Sequence, residues 1–311
     1  PMQYDDAGTG PVAAIDAGTN SVRLLIARET EDGVQELHRD MRIVRLGQGV
    51  DETGEFAPEA LQRTFAAVDD YAREITRHGA HPTRFIATSA SRDVSNRDEF
   101  VSGIRQRLHA TPEVVSGEVE AQLTFSGAVS ALDTSRWDRP VRVAVVDLGG
   151  GSTEIVLGTI DPTDGTAHIM AQTSMDVGCV RFHERYQFDD PPTQQQITAA
   201  QNDLVQRLAE LDPDEFDFTN LDAVVGVAGT ITTITAAALG LDTYDPVAIH
   251  GAEIDIEQLT EISQKLTGET TTERSRYGFM HEGRIDVIGA GAVIWAQLLD
   301  HIRKATNNTV T

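Results

Sequence analysis

The stretch VAVVDLGGGSTEIVLG, Val143 to Gly158, decides the fold. It reads as an apolar β-branched strand, an aspartate, a glycine-rich turn and a second apolar strand. Gly149, Gly150 and Gly151 allow positive φ and a close approach of backbone to a ligand. Successive amide N–H groups in such a turn face one concavity, which suits an anion. Ser152 and Thr153 add hydroxyl donors. Asp147 ends the first strand and Glu154 begins the second. Carboxylates beside a phosphate nest make sense with a divalent cation between them. An ordinary structural hairpin carries the same glycines, so this run alone leaves both readings open.

A second stretch, AAIDAGTNSVRLLIAR at Ala13 to Arg28, repeats the pattern. Asp16 falls on Asp147, Gly18 on Gly149, Ser21 on Ser152, and Leu24-Leu25-Ile26 on Ile155-Val156-Leu157. The shared D-x-G-x-x-S before an apolar strand implies a duplicated domain with a cleft between the halves. It also argues against a dinucleotide fold, where the glycine turn opens a helix. Both turns here lead into strands.

The chain has 311 residues, enough for two domains with their own cores. Asp and Glu total 49 against 25 Lys and Arg, a formal net charge of −24. Only Lys265 and Lys304 are lysines; the other basic residues are arginines. That acidity opposes non-specific nucleic-acid binding and repels a polyanion at long range. A phosphate site would therefore need local arginines, metal ions and backbone amides. Pro1–Asp6 shows no basic, apolar-cored signal peptide, and Val287–Leu299 is too short to span a bilayer. The lone Cys179 precludes an internal disulfide and fits a reducing, cytoplasmic setting.

Along the chain, Val34–Leu37 and Met41–Leu46 continue the first sheet, and Gly47–Gly54 reads as a loop. A helix is expected from Pro58, with Leu61, Phe65, Val68, Ala72 and Ile75 on one stripe and Gly79 at its end. RFIAT (84–88) is a short strand delivering Ser89–Asp93 to a loop. Asn96 is placed to cap the next helix, with Glu99 as its capping-box partner. A helix opening at Ser116-Gly117-Glu118-Val119-Glu120 follows. Glu118 is explained by the helix dipole; for Glu120 the dipole and a catalytic role stay equally open. Thr193 caps a helix, and Ala223–Val227 is a strand leading through Ala228-Gly229-Thr230 into another. That junction could hold a phosphate or serve as a tight structural turn. No Walker A, G-x-S-x-G or H-E-x-x-H motif is present.

Four segments resemble the exopolyphosphatase/guanosine pentaphosphate phosphohydrolase family, in its short two-domain form. They are residues 13–28, ATSASRDVSN at 87–96, VVSGEVEAQLTFSGA at 114–128 and VVDLGGGSTEIVLG at 145–158. VAGTITTI (227–234) and HEGRIDVIGAGAVI (281–294) match more weakly. The resemblance implies an α/β fold of two actin-like (ribonuclease H-like, ASKHA) domains around a cleft, at about 1–123 and 124–311. It implies hydrolysis of inorganic polyphosphate or pppGpp with Mg²⁺ or Mn²⁺, and it is compatible with a homodimer. By position, Glu120 falls on the family's general base, with Asp147 and Glu154 on acids around the metal and attacking water. Gly18, Thr19, Asn20, Ser21, Arg92 and Gly149-Gly150-Gly151-Ser152-Thr153 fall on phosphate-holding positions. Thr19 stands where many members have serine, and Gln122 where arginine is common. An ATP-dependent kinase of the same superfold and a non-catalytic pppGpp sensor are the alternatives.

Overall fold

The computed structural model describes residues 10–306 apart from 32, 93 and 131. Pro1–Asp6 and Asp93, both used above, lie outside the described residues. The chain divides into two compact units, Pro1–Ser116 and Gly117–Thr311. Each is α/β, and the two sheets share an antiparallel strand triple, the duplication anticipated from the repeat.

The first unit carries strands β1 (Val12–Ala17), β2 (Ser21–Thr30) and β3 (Gly33–Ile43), then helices α1 (Val50–Thr53) and α2 (Pro58–His78). Strand β4 (Thr83–Ala87), helices α3 (Ser89–Arg92) and α4 (Arg97–Leu108) and strand β5 (Glu113–Val114) complete it. The sheet order is β3-β2-β1-β4-β5, with β1–β3 antiparallel and β4 and β5 added in parallel. The second unit opens with α5 (Gly117–Ser130), followed by β6 (Val141–Leu148), β7 (Thr153–Ile160) and β8 (Ala167–Met175). Then come α6 (Cys179–Arg185), α7 (Gln194–Ala209), β9 (Ala223–Val227), α8 (Ala228–Ala238) and α9 (Pro246–Ile249). Helices α10 (Ile256–Gly268), α11 (Thr271–Arg274) and α12 (Ile288–Ala305) end it. Its sheet, β8-β7-β6-β9, has the same antiparallel triple with one parallel neighbour.

Several local expectations changed. The two pieces read across 34–46 are one strand, β3, whose side chains are mostly exposed, so alternation did not mark it. Gly47–Gly54 and Ser89–Arg92 each contain a four-residue helix. Asn96 caps nothing with its side chain. Its Oδ1 accepts from the Phe56 amide at 2.9 Å and its Nδ2 donates to the Phe56 carbonyl at 3.0 Å. Thr193, by contrast, forms a full capping box with Gln196. Helix α2 runs from Pro58 to a left-handed Gly79, as its sequence requires.

Strand β6 is buried on both faces, which explains its unbroken Val/Ala run. Ala144, Val146 and Leu148 face a core shared with α6, α7, α8, α10 and α12. Val143 and Val145 face Ala121 and Phe125 of α5. Strand side chains alternate, so Asp147 joins Val143 and Val145 on the α5 side, and Glu154 joins Val156 there. Two glycines bring α5 close. A Cβ on Gly117 would stand 2.4 Å from Ser174 Cβ, and one on Gly158 would stand 2.3 Å from the Phe125 ring.

Candidate active site

The register places Asp147 directly opposite Glu154 across β6 and β7. Like charges in that position repel, so a sheet keeps them only with a compensating proton or cation. Glu154 is buried, 1% exposed. Burial pushes its pKa from 4.5 up to about 8, helped by the Glu120 and then the Asp147 carboxylates. Hydrogen bonds from Ser174 and Ser152 act against that rise. Ser174 Oγ donates to Glu154 Oε1 at 2.6 Å from the paired position on β8. Thr124 Oγ1, one helical turn beyond Glu120 on α5, donates to Asp147 Oδ2 at 2.9 Å. Glu120 and Asp147 thus both act electrostatically on Glu154, and the three form one acidic cluster.

Beside it lies the glycine turn, closed by Gly149 N donating to Ser152 O at 2.9 Å. The glycines with left-handed φ lie elsewhere, at Gly33, Gly49, Gly54, Gly79, Gly165, Gly240 and Gly251. The expected positive φ at Gly149–Gly151 is therefore corrected, and their use is close approach. A Cβ on Gly178 would stand 2.3 Å from Gly150 O, so the start of α6 packs directly on the turn. There the Cys179 amide donates to Gly149 O, and the Val180 and Arg181 amides to Gly150 O, at 2.9–3.1 Å. Arg181 Nε donates to Gly151 O at 2.6 Å. In a trans peptide the next N–H points away from the carbonyl. The N–H groups of Gly150, Gly151 and Ser152 are consequently turned to the side opposite α6, as a row of donors suited to an anion. Thr153 does not join them with its hydroxyl, which donates to Val177 O at 2.6 Å.

The first unit builds its turn by the same rule. Gly18 N donates to Ser21 O at 2.9 Å. The residues after β3 tie the carbonyls: Gly47 N to Thr19 O at 2.9 Å, and Val44 N and Arg45 N to Asn20 O at 3.0 and 2.9 Å. That turns the Asn20 and Ser21 amides the other way. Among the described residues, Thr19 Oγ1, both amide atoms of Asn20 and Ser89 Oγ are buried without a hydrogen-bond partner. Buried polar groups are nearly always paired, so these call for a partner such as water or a ligand. Thr88 N donates to Ala17 O at 3.1 Å, which sets the start of α3 beside this turn. Arg92 ends that helix and sends Nη1 to Val115 O at 3.3 Å.

A model of the Ppx/GppA phosphatase family matches residues 25–309. The chain belongs to the Ppx/GppA phosphatase family. Exopolyphosphatase 2 of Mycobacterium tuberculosis is 44% identical over 302 residues, covering 94% of this chain and 91% of the relative. The guanosine-5'-triphosphate,3'-diphosphate pyrophosphatase of Photobacterium profundum is 32% identical over 232 residues, 74% of this chain and 44% of that one. The crystal structure of an exopolyphosphatase-like protein superposes with a TM-score of 0.88 at 42% identity, covering 96% of this chain and 90% of that one. The Ppx/GppA resemblance read from the four motifs is thereby confirmed. Ser89, Thr124 and Ser174 were missed by it. Thr124 had a usable signal, its four-residue spacing from Glu120, whereas Ser174 is joined to Glu154 only through strand register.

Proposed function

We propose that this Ppx/GppA chain is a phosphoanhydride hydrolase that removes the terminal phosphate of inorganic polyphosphate or converts pppGpp to ppGpp in the cytoplasm. The observation that carries the reading is the pair of opposed carboxylates, Asp147 and Glu154, beside a turn whose carbonyls are all tied behind it. Such a turn offers donors already oriented for phosphoryl oxygens.

A divalent ion fits the donor set, which is hard carboxylate oxygen. Among the described residues no three side chains form a ready-made metal cage. One or two of Asp147, Glu154 and Glu120 would hold Mg²⁺ or Mn²⁺, the remaining positions being filled by water and substrate phosphate, as Mg²⁺ prefers. When bound, the ion supplies charge neutralisation to the phosphates. Glu120 accepts the proton of the attacking water. The water oxygen bonds to the terminal phosphorus, the bridging P–O bond breaks, and the shortened chain leaves with the bridging electrons. The Gly150, Gly151 and Ser152 amides stabilise the equatorial oxygens. Within the first unit, Gly18, Thr19, Asn20, Ser21 and Arg92 form a second donor set suited to phosphoryl oxygens.

The test is phosphate release from polyphosphates of defined length, from pppGpp and from ATP, with and without Mg²⁺. Metal-dependent release without any acceptor is expected. Transfer to an added sugar, or tight pppGpp binding with no turnover, overturns the reading.

A further inference from the structure

Among the described residues each of the two opposed acids is held by a hydroxyl from a different element. Thr124 reaches Asp147 from α5, and Ser174 reaches Glu154 from β8. The same helix carries Glu120 one turn earlier, so Thr124 links the position of Glu120 to that of Asp147. Gly117 closes the arrangement: its missing Cβ lets the start of α5 sit against Ser174, 2.7 Å from that position to Ser174 Oγ. Repulsion between the like-charged carboxylates favours rotamers that turn them apart. A donated hydrogen bond opposes that rotation and favours the charged form.

We propose that Thr124 and Ser174 are positioning residues. They lock Asp147 Oδ2 and Glu154 Oε1 so that both carboxylates stay aimed at one divalent cation, with Glu120 in register. This inference rests on the acidic cluster being the cation and water site.

The experiment compares Thr124→Val, Thr124→Ser and Ser174→Ala with wild type. Divalent-ion affinity is measured directly, by electron paramagnetic resonance of free Mn²⁺, alongside kcat and KM on polyphosphate and the melting temperature. Valine keeps the shape of threonine and removes the hydroxyl. Thr124→Val is expected to weaken Mn²⁺ binding about tenfold or more, the usual effect of losing a partner behind a metal ligand. It should lower kcat at fixed Mn²⁺, leave the polyphosphate KM within twofold and leave melting unchanged. Thr124→Ser should restore both values, and Ser174→Ala should behave like Thr124→Val. Mn²⁺ affinity and kcat within twofold of wild type in both Thr124→Val and Ser174→Ala overturn the proposal. Failure of the underlying reading looks different: wild type itself binds no divalent ion, or Glu154→Gln keeps both affinity and activity.

Discussion

The two hairpin turns are the same object with opposite chemistry. Both close with a 2.9 Å bond from the first turn residue to the fourth, and both have their carbonyls tied by the segment after the third strand. They differ at the strand pair below. In the first unit Asp16 faces Arg23, an opposite charge. In the second, Asp147 faces Glu154, a like charge. The first pair places unlike charges together, whereas the second calls for a proton or an added cation. A shared backbone thus carries an opposite-charge pair in one copy and a like-charge pair in the other.

The sharpest way to break that comparison is to neutralise matched acids. Glu120→Gln and Asp147→Asn should each lower kcat by about 10²–10⁴, the range for loss of a general base or an electrostatic partner. Asp16→Asn, at the matching position of the first copy, should lose far less. Equal losses at Asp16 and Asp147, measured by steady-state phosphate release on folded protein, would make both copies catalytic.

A smaller effect is expected from the first copy. Asn20 is 5% exposed and its amide atoms are unpaired, a burial that costs about 1–3 kcal/mol. Asn20→Ala should therefore melt at the same or a higher temperature without substrate, yet show KM raised about tenfold with kcat nearly constant. A lower melting temperature with unchanged KM would make Asn20 structural.

The smallest effect concerns proton linkage. Glu154 keeps its proton in the folded state up to about pH 8, while the unfolded carboxyl ionises near 4.5. Above pH 4.5 the unfolded chain gains by releasing that proton, so this contribution to stability shrinks as pH rises and levels off above 8. In metal-free protein, wild type should lose melting temperature relative to Glu154→Gln between pH 5 and pH 8, on the order of a few degrees. Added Mg²⁺ should reduce the gap most at the alkaline end, because the cation requires the ionised form. Parallel melting curves for the two proteins across this range would place Glu154 outside the acidic cluster.

Much of this was legible from residue order. The repeat of D-x-G-x-x-S before apolar residues announced both hairpins, and in the second a strand buried on both faces shows as an unbroken Val/Ala run. Helix α2 was legible because Pro58, its apolar stripe and Gly79 agree. Strand β3 was blurred because its exposed side chains carry no alternation. The Asn96 cap failed because a partner forty residues away, Phe56, competes better for the same amide. Glu154 could be suspected from sequence, but its raised pKa depends on α5 lying across β6 and β7. Nothing local in sequence marks Ser174 as its donor.

One tie reaches beyond chemistry. The Gly149–Gly151 carbonyls are anchored to the first turn of α6, whose Cys179, Val180 and Phe182 are buried in the helical core. Loosened packing there, as from a truncated Phe182, would reach the turn before the fold gives way. Such a protein would still melt cooperatively and still look intact by circular dichroism, while the amides proposed to hold phosphate lost their alignment.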